Sequence, residues 1–429
     1  MSDPVAAAEA RLSRERVTQL CAAMVDISSP TGEEGPLARH LAAEMRAAGL
    51  DGEVQVLDGD RVTSGDMANA HGRIGGRSGH PALLLYAPLD TVTVGDADHD
   101  LPWVGPELRD DMLSQAEVRD DLVIGLGAQN PKGHGACVLA AAGLELDGDL
   151  LVGFGAGGMP SNGRRPDLSD GHGVGCAHLV ERLRPDEAVI AKTGWSISWE
   201  EVGLVWFTVE VDGTHTYVGS RHLLPYRNAI AAASHIVIGL EHWFTIWAEE
   251  RRSGLVAPQG VVAAIEGGWP HMAAFTSAAC RFHVDLRLSP RTTPEEAAAD
   301  FEAEVRRLAA EVGADARVAR TVTIPGTTTD PDEPIIRSSI ACWEALTGRR
   351  HEPIAGLSGA TDANILRGLG VPTARVGLPK VSRDGLDVDF QLGMNAVDVD
   401  DMLALSRLLI RIALDRCGVV GERAARDPR

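Results

Sequence analysis

The sequence predicts an α/β fold, a mainly parallel sheet with helices on both faces, interrupted by a smaller α+β, ferredoxin-like domain. Three observations carry that expectation. Short apolar runs alternate with helical periodicity through the first half of the chain. Near Val202 the texture changes to strands whose residues alternate in and out, and after Thr321 the first texture resumes. A chain of 429 residues also exceeds one ordinary core. The expected division is a discontinuous α/β domain over 1–201 and 315–429, with an α+β insert over 202–314.

The elements follow in order. Arg16 to Ile27 has helical periodicity, broken by Ser28-Ser29-Pro30-Thr31-Gly32. Glu34 to Ala48 is a second helix, closed by Gly49. Glu53 to Leu57, Ala82 to Ala87 and Asp121 to Ile124 read as strands, and small-residue-rich Lys132 to Leu146 as a helix. Strand Asp149 to Gly155, helix Val174 to Leu183 and strand Glu187 to Ala191 complete the first half. In the insert, Leu204 to Val211 alternates as a half-solvated strand, and a long helix runs from Arg227 to about Ala248. Strands follow near Val261 to Ile265 and Cys280 to Leu288, and Thr293-Pro294-Glu295-Glu296 caps a helix from Pro294 to Val312. Helices Pro334 to Leu346, Asp362 to Leu369 and Val399 to Leu414 surround a last strand, Pro372 to Val376.

Composition excludes several classes. A net charge of -21 repels nucleic acid and anionic membrane, so neither is an expected partner. The polar stretch Met1 to Arg16 lacks the apolar centre of a signal peptide, and no run is read as reaching the ~20 apolar residues of a membrane span. Six cysteines without paired spacing favour reduced thiols and a cytoplasmic location.

The most informative stretch is Leu83-Leu84-Leu85-Tyr86-Ala87-Pro88-Leu89-Asp90-Thr91-Val92, a buried strand ending at an acidic residue. With it go Ser28-Ser29-Pro30-Thr31-Gly32-Glu33-Glu34, Gly127-Ala128-Gln129-Asn130-Pro131-Lys132-Gly133, Asn228-Ala229-Ile230, Asp285-Leu286-Arg287-Leu288 and Ser358-Gly359-Ala360-Thr361-Asp362-Ala363. In this order the segments resemble the landmarks of the acetylornithine deacetylase, succinyl-diaminopimelate desuccinylase and carboxypeptidase G family of two-zinc amide hydrolases. The resemblance covers almost the whole chain. It implies an amide or other C–N bond of a small carboxylate-bearing substrate, and a homodimer formed through the lid.

It also implies where metal ligands should stand, and there the sequence departs. Such a centre needs His nitrogens, carboxylates and a Glu that takes a proton from metal-bound water. The first His corresponds to Pro88, the bridging Asp to Asn130, the Glu-Glu pair to Gly157-Gly158, the next acidic ligand to a position at or beside Lys192 and the last His to Gln391. Of the set only Asp90 remains. No cofactor is therefore expected, and the leading expectation is a hydrolase-like enzyme with its zinc pair lost. Asp90 and Lys192 are expected to form an ion pair in the old pocket.

His134, at the head of a helix, and His215, matching a lid His that stabilises an oxyanion in relatives, complete the expected acid–base set. Asn130, Arg221, His222, Asn228, Gly359, Asp362 and Gln391 are the expected substrate contacts, with a structural or surface role as the plain alternative for each lid residue. A second reading is a non-catalytic protein that binds a ligand or an active paralogue. A third is a hydrolase with one labile or relocated divalent metal on Asp90, His172 and Cys176, although the cluster Asp170, His172, Cys176 and His178 lacks a standard zinc spacing. The acidic cluster Asp96, Asp98, His99 and Asp100 reads as a solvated loop, and no Gly-x-Ser-x-Gly elbow supports a covalent route through Ser358 or Thr361.

Overall fold

A computed structural model describes residues 3–57, 65–75, 79–144, 146–159, 173–381 and 394–419. Gln391, Asp170 and His172 lie outside these residues. The chain divides into two compact units, one of Met1–Trp199, Thr329–Pro353 and Thr361–Arg429, the other of Glu200–Thr328 and Ile354–Ala360.

The first unit is built on a six-stranded sheet in the order Glu53–Val56, Ala68–Ile74, Leu150–Gly155, Leu83–Pro88, Glu187–Ala191, Thr373–Val376. The last four strands run parallel, and the first two add antiparallel. Strand Leu83–Pro88 is buried along its whole length, as a central parallel strand must be. Its alternate residues serve opposite faces. Leu83, Leu85 and Ala87 join the core under helices Arg14–Val25, Gly35–Ala47, His134–Ala140 and Val399–Cys417. Leu84 and Tyr86 pack with Cys176 and Leu179 of helix Val174–Leu183 and Ala363 and Leu366 of helix Ala363–Gly368. The expected helix from Lys132 to Leu146 is shorter, His134–Ala140, preceded by an irregular turn around Pro131 and followed by Gly143.

Strand Ala68–Ile74 was not foreseen, because Ala-Asn-Ala-His-Gly-Arg-Ile carries little β-branched or aromatic signal. It is held by pairing on both sides and by helix Gly35–Ala47 above it. The acidic cluster is likewise not a loop. Asp96 caps helix Ala97–Val104 by accepting from Asp98 and His99 amides, and Asp100 accepts from the Val94 and Gly95 amides.

The second unit has the order β-α-β-β-α-β: strand Gly203–Asp212, helix Ala229–Glu250, strands Gln259–Gly267 and Ala279–Leu288, helix Pro294–Glu311 and strand Ala316–Ile324. The four strands form an antiparallel sheet in which Gly203–Asp212 lies between Ala279–Leu288 and Ala316–Ile324, and Gln259–Gly267 takes an edge. This unit therefore runs past residue 314, since Ala316–Ile324 pairs along Gly203–Asp212. Helix Pro294–Glu311 opens with a capping box between Thr293 and Glu296.

One sequence expectation is corrected here: helix Ala229–Glu250 is long and apolar enough, by length and composition, to cross a membrane. Its Ile236, Leu240, Phe244 and Trp247 instead fill the core against the sheet.

Candidate functional site

The pocket implied by the resemblance lies at the carboxyl end of Leu83–Pro88, where open parallel sheets place ligands. Asp90 is 5% exposed, and both its oxygens are engaged. Oδ2 accepts from the Thr31 hydroxyl at 2.8 Å and the Met159 amide at 2.9 Å, while Oδ1 accepts from the Gly158 amide at 3.2 Å. A Cβ on Gly158 would stand 2.9 Å from Asp90 Oδ1, 3.3 Å from Asp362 Oδ2 and 3.4 Å from Pro88 Cβ. Asp90 and Asp362, predicted from sequence, are thus brought together around a glycine that leaves room for both.

Two further groups complete the cluster and were missed. Glu34 is wholly buried; its Oε1 accepts from the Gly157 amide at 2.8 Å and the Gly32 amide at 3.1 Å, and its Oε2 has no hydrogen-bond partner among the described residues. Burial first, and the Asp90 charge second, push its carboxyl up to about 8. Tyr86 donates its hydroxyl to Asp362 Oδ2 at 2.5 Å, and burial followed by the Asp362 charge holds that phenol well above its usual range. The tyrosine reaches Asp362 over Gly155, where a Cβ would meet the hydroxyl. Glu34 was legible only as part of the segment Thr31-Gly32-Glu33-Glu34, and Tyr86 only as a strand residue.

The other expected catalytic groups are corrected. Among the described ion pairs none joins Lys192 to Asp90, which accepts instead from Thr31 and two amides. His134 is fully buried, and its Nε2 accepts from the Leu378 amide at 3.0 Å. Burial, then the Lys192 charge, holds its pKa well below the usual value. It is a neutral acceptor that pins the chain after strand Thr373–Val376. Asn130 donates from Nδ2 to Met394 Sδ at 2.9 Å, and its Oδ1 has no partner among the described residues. Cys176 is a buried thiol raised well above its usual range by burial and the Asp362 charge, a poor thiolate ligand.

The lid candidates belong to the second unit. Asn228 Oδ1 accepts from the Ile230 and Ala231 amides and caps helix Ala229–Glu250. The Arg221 guanidinium lies 4.8 Å over the Tyr226 ring. His222 and Gly359 are exposed, and His215 is held by the Thr276 carbonyl at 2.8 Å from Nδ1.

These residues do not fit a dinuclear metal centre. Pro88 and Gly158 present no donor side chain, Asn130 is a neutral amide, and the surviving Asp90 has both oxygens committed to hydrogen bonds. Among the described residues no group of three His, Cys, Asp or Glu is arranged to hold a metal ion.

No family model matches the chain. Solved structures do. Human carnosine dipeptidase 1 is similar over 97% of this chain and 99% of its own, with a TM-score of 0.71 and 12% identity. The aminopeptidase PepT of Bacillus cereus ATCC 10987 is similar over 94% and 98%, with a TM-score of 0.63 and 16% identity. The YXEP protein of Bacillus subtilis, a dinuclear metal binding peptidase from the M20 family, is similar over 94% and 98%, with a TM-score of 0.59 and 12% identity. The chain therefore has the fold of M20-family peptidases, with an α/β domain and a ferredoxin-like one.

Proposed function

We propose that the chain is a C–N hydrolase of small amides that works without a dinuclear metal centre, its acid–base chemistry carried by Asp90 and Glu34. The observation behind this reading is Glu34: a buried carboxyl with one oxygen unpartnered among the described residues, kept protonated at neutral pH beside Asp90. A carboxyl held protonated beside a second carboxyl lets one site supply both an acid and a base. Asp90 takes a proton from water as the water oxygen adds to the amide carbon. Glu34 gives its proton to the nitrogen as the C–N bond breaks, and a proton passing back from Asp90 to Glu34 resets the pair. Asp362, which accepts from the Tyr86 hydroxyl, lies beside the Gly158 turn.

The test is hydrolysis of a panel of N-acyl amino acids and dipeptides by protein treated with chelator. Turnover that survives chelation and falls by about 10²-fold or more in Asp90→Asn and Glu34→Gln supports the reading. Turnover abolished by chelation and restored by zinc overturns it. One observation favours a second reading, a non-catalytic ligand binder: the three hydrogen bonds on Asp90 and the complete burial of Glu34. It predicts binding from the same panel with no product in either wild type or variants.

The second unit supports a further part of the proposal, a homodimer. Among the described residues strand Gln259–Gly267 has a neighbour on one side only, and Val261 and Ile265 on it, with Ile238 and Ile246 on helix Ala229–Glu250, are exposed. Sedimentation of wild type against an Ile238→Glu, Ile265→Glu variant tests it, with a dimer expected for the first and a monomer for the second.

A further inference from the structure

In the second unit residues 213–218 run beside residues 274–278. The Val218 amide donates to the Ala274 carbonyl at 2.8 Å, and the Thr276 amide to the Thr216 carbonyl at 3.0 Å. The Thr276 hydroxyl donates to the Thr214 carbonyl at 2.5 Å and accepts from the Thr216 amide at 3.0 Å. On this braced platform opens a pocket of about 470 Å³, walled by His215, Trp269, Met272 and Phe275. Trp269 is 63% exposed, Met272 46% and Phe275 43%. Large apolar side chains gathered in the open mark a surface that something covers.

His215 gives the pocket its chemistry. A carbonyl only accepts, so the 2.8 Å contact from Nδ1 to the Thr276 carbonyl places the ring proton on Nδ1. In the neutral ring Nε2 is then an acceptor. The ring lies 14° from the plane of Phe275, with centroids 5.4 Å apart, so its edge is held in one direction. Tyr217 backs Phe275 at 5.4 Å from the other ring.

We propose that this pocket binds a planar aromatic group with a donor edge, of the phenol or indole type. The ring packs against Trp269, Met272 and Phe275, and its O–H or N–H is donated to His215 Nε2. Three features select that occupant. The volume is that of a small-molecule site rather than of a protein groove. Aromatic and thioether walls suit a flat, polarisable ring. The His215 ring, with its proton held on Nδ1, accepts at Nε2, so a ring that donates is preferred over one that only accepts or is purely apolar.

The test is a ligand-observed saturation-transfer titration with p-cresol, and with toluene as the ring without a donor. Wild type is expected to bind p-cresol about five- to tenfold more tightly than toluene, the worth of one hydrogen bond. His215→Phe keeps a ring stacked on Phe275 and removes the acceptor, so p-cresol should fall to the affinity of toluene. Trp269→Ala should weaken both probes together. Equal p-cresol affinity in wild type and His215→Phe, or no saturable binding of either probe, overturns the proposal. So does a dimer in sedimentation that Trp269→Ala dissociates, because the occupant is then a second copy of the chain. The proposal stands apart from hydrolysis, and none of these readouts depends on turnover.

Discussion

Gly158 donates its amide to Asp90 Oδ1 at 3.2 Å, and a Cβ built on Gly158 would stand 2.9 Å from that same oxygen. The carboxylate occupies the space that a side chain at 158 needs. Gly158→Ala should therefore displace Asp90 and cost about 1–3 kcal/mol, the usual penalty of overpacking a close site. Gly368→Ala is the control, since a Cβ there meets nothing within 4 Å at the end of helix Ala363–Gly368. It should be neutral or gain up to about 1 kcal/mol from helix propensity. Urea unfolding of the two variants gives the comparison.

The same geometry bears on metal. A ligand that binds only the folded state raises stability in proportion to its occupancy. With Pro88, Asn130 and Gly158 at ligand positions, and Asp90 already hydrogen-bonded, prolonged chelation should leave Tm unchanged, as should excess zinc. A rise of several degrees with zinc, together with about one metal per chain by mass spectrometry of protein purified without chelator, would reinstate a metal site.

Much of this was legible from the sequence, for physical reasons that differ by element. Helix Val174–Leu183 and strand Glu187–Ala191 match the expected bounds because their apolar periodicity is set locally. Strand Ala316–Ile324 escaped because a register shift between Arg320 and Val322 breaks its alternation, and its exposed arginines mask it; Arg317 pairs with Glu210 and Asp212 on the neighbouring strand. In the site, Asp90 and Asp362 sit in readable motifs. Glu34 meets the Gly157 amide 123 residues away, and no local pattern announces that contact. The burial of His134 was not legible either, because a histidine at a helix start reads as accessible in sequence.

Tyr86 and Asp362 offer a third prediction. Tyr86→Phe keeps the ring in its core between the sheet and helix Val174–Leu183 but removes the hydroxyl that Asp362 Oδ2 accepts. Loss of one donor to a buried carboxylate costs about 1–3 kcal/mol. Denaturant unfolding at neutral pH should register that loss with an unchanged m-value, since the buried area is nearly the same. A loss below about 0.5 kcal/mol would mean that other groups satisfy Asp362 without the tyrosine.

Glu34 supplies the pH dependence. Its carboxyl sits near 4.5 in an unstructured chain and is pushed up to about 8 by burial and by Asp90. Between those values the folded state holds a proton that the unfolded state has released, so stability falls as pH rises through the window. The contribution is fully present below about 4.5 and lost by about 8. At pH 7 the difference is on the order of 3 kcal/mol as an upper bound, from 1.36 kcal/mol per unit. Glu34→Gln replaces the carboxyl with a neutral group of the same shape that keeps a carbonyl acceptor for the Gly32 and Gly157 amides. Its Tm should therefore fall less than that of wild type between pH 5 and pH 8. The variant should equal or exceed wild type at the upper end. Parallel Tm profiles for the two proteins would sink the idea that Glu34 is held protonated, and with it the acid half of the proposed carboxyl pair.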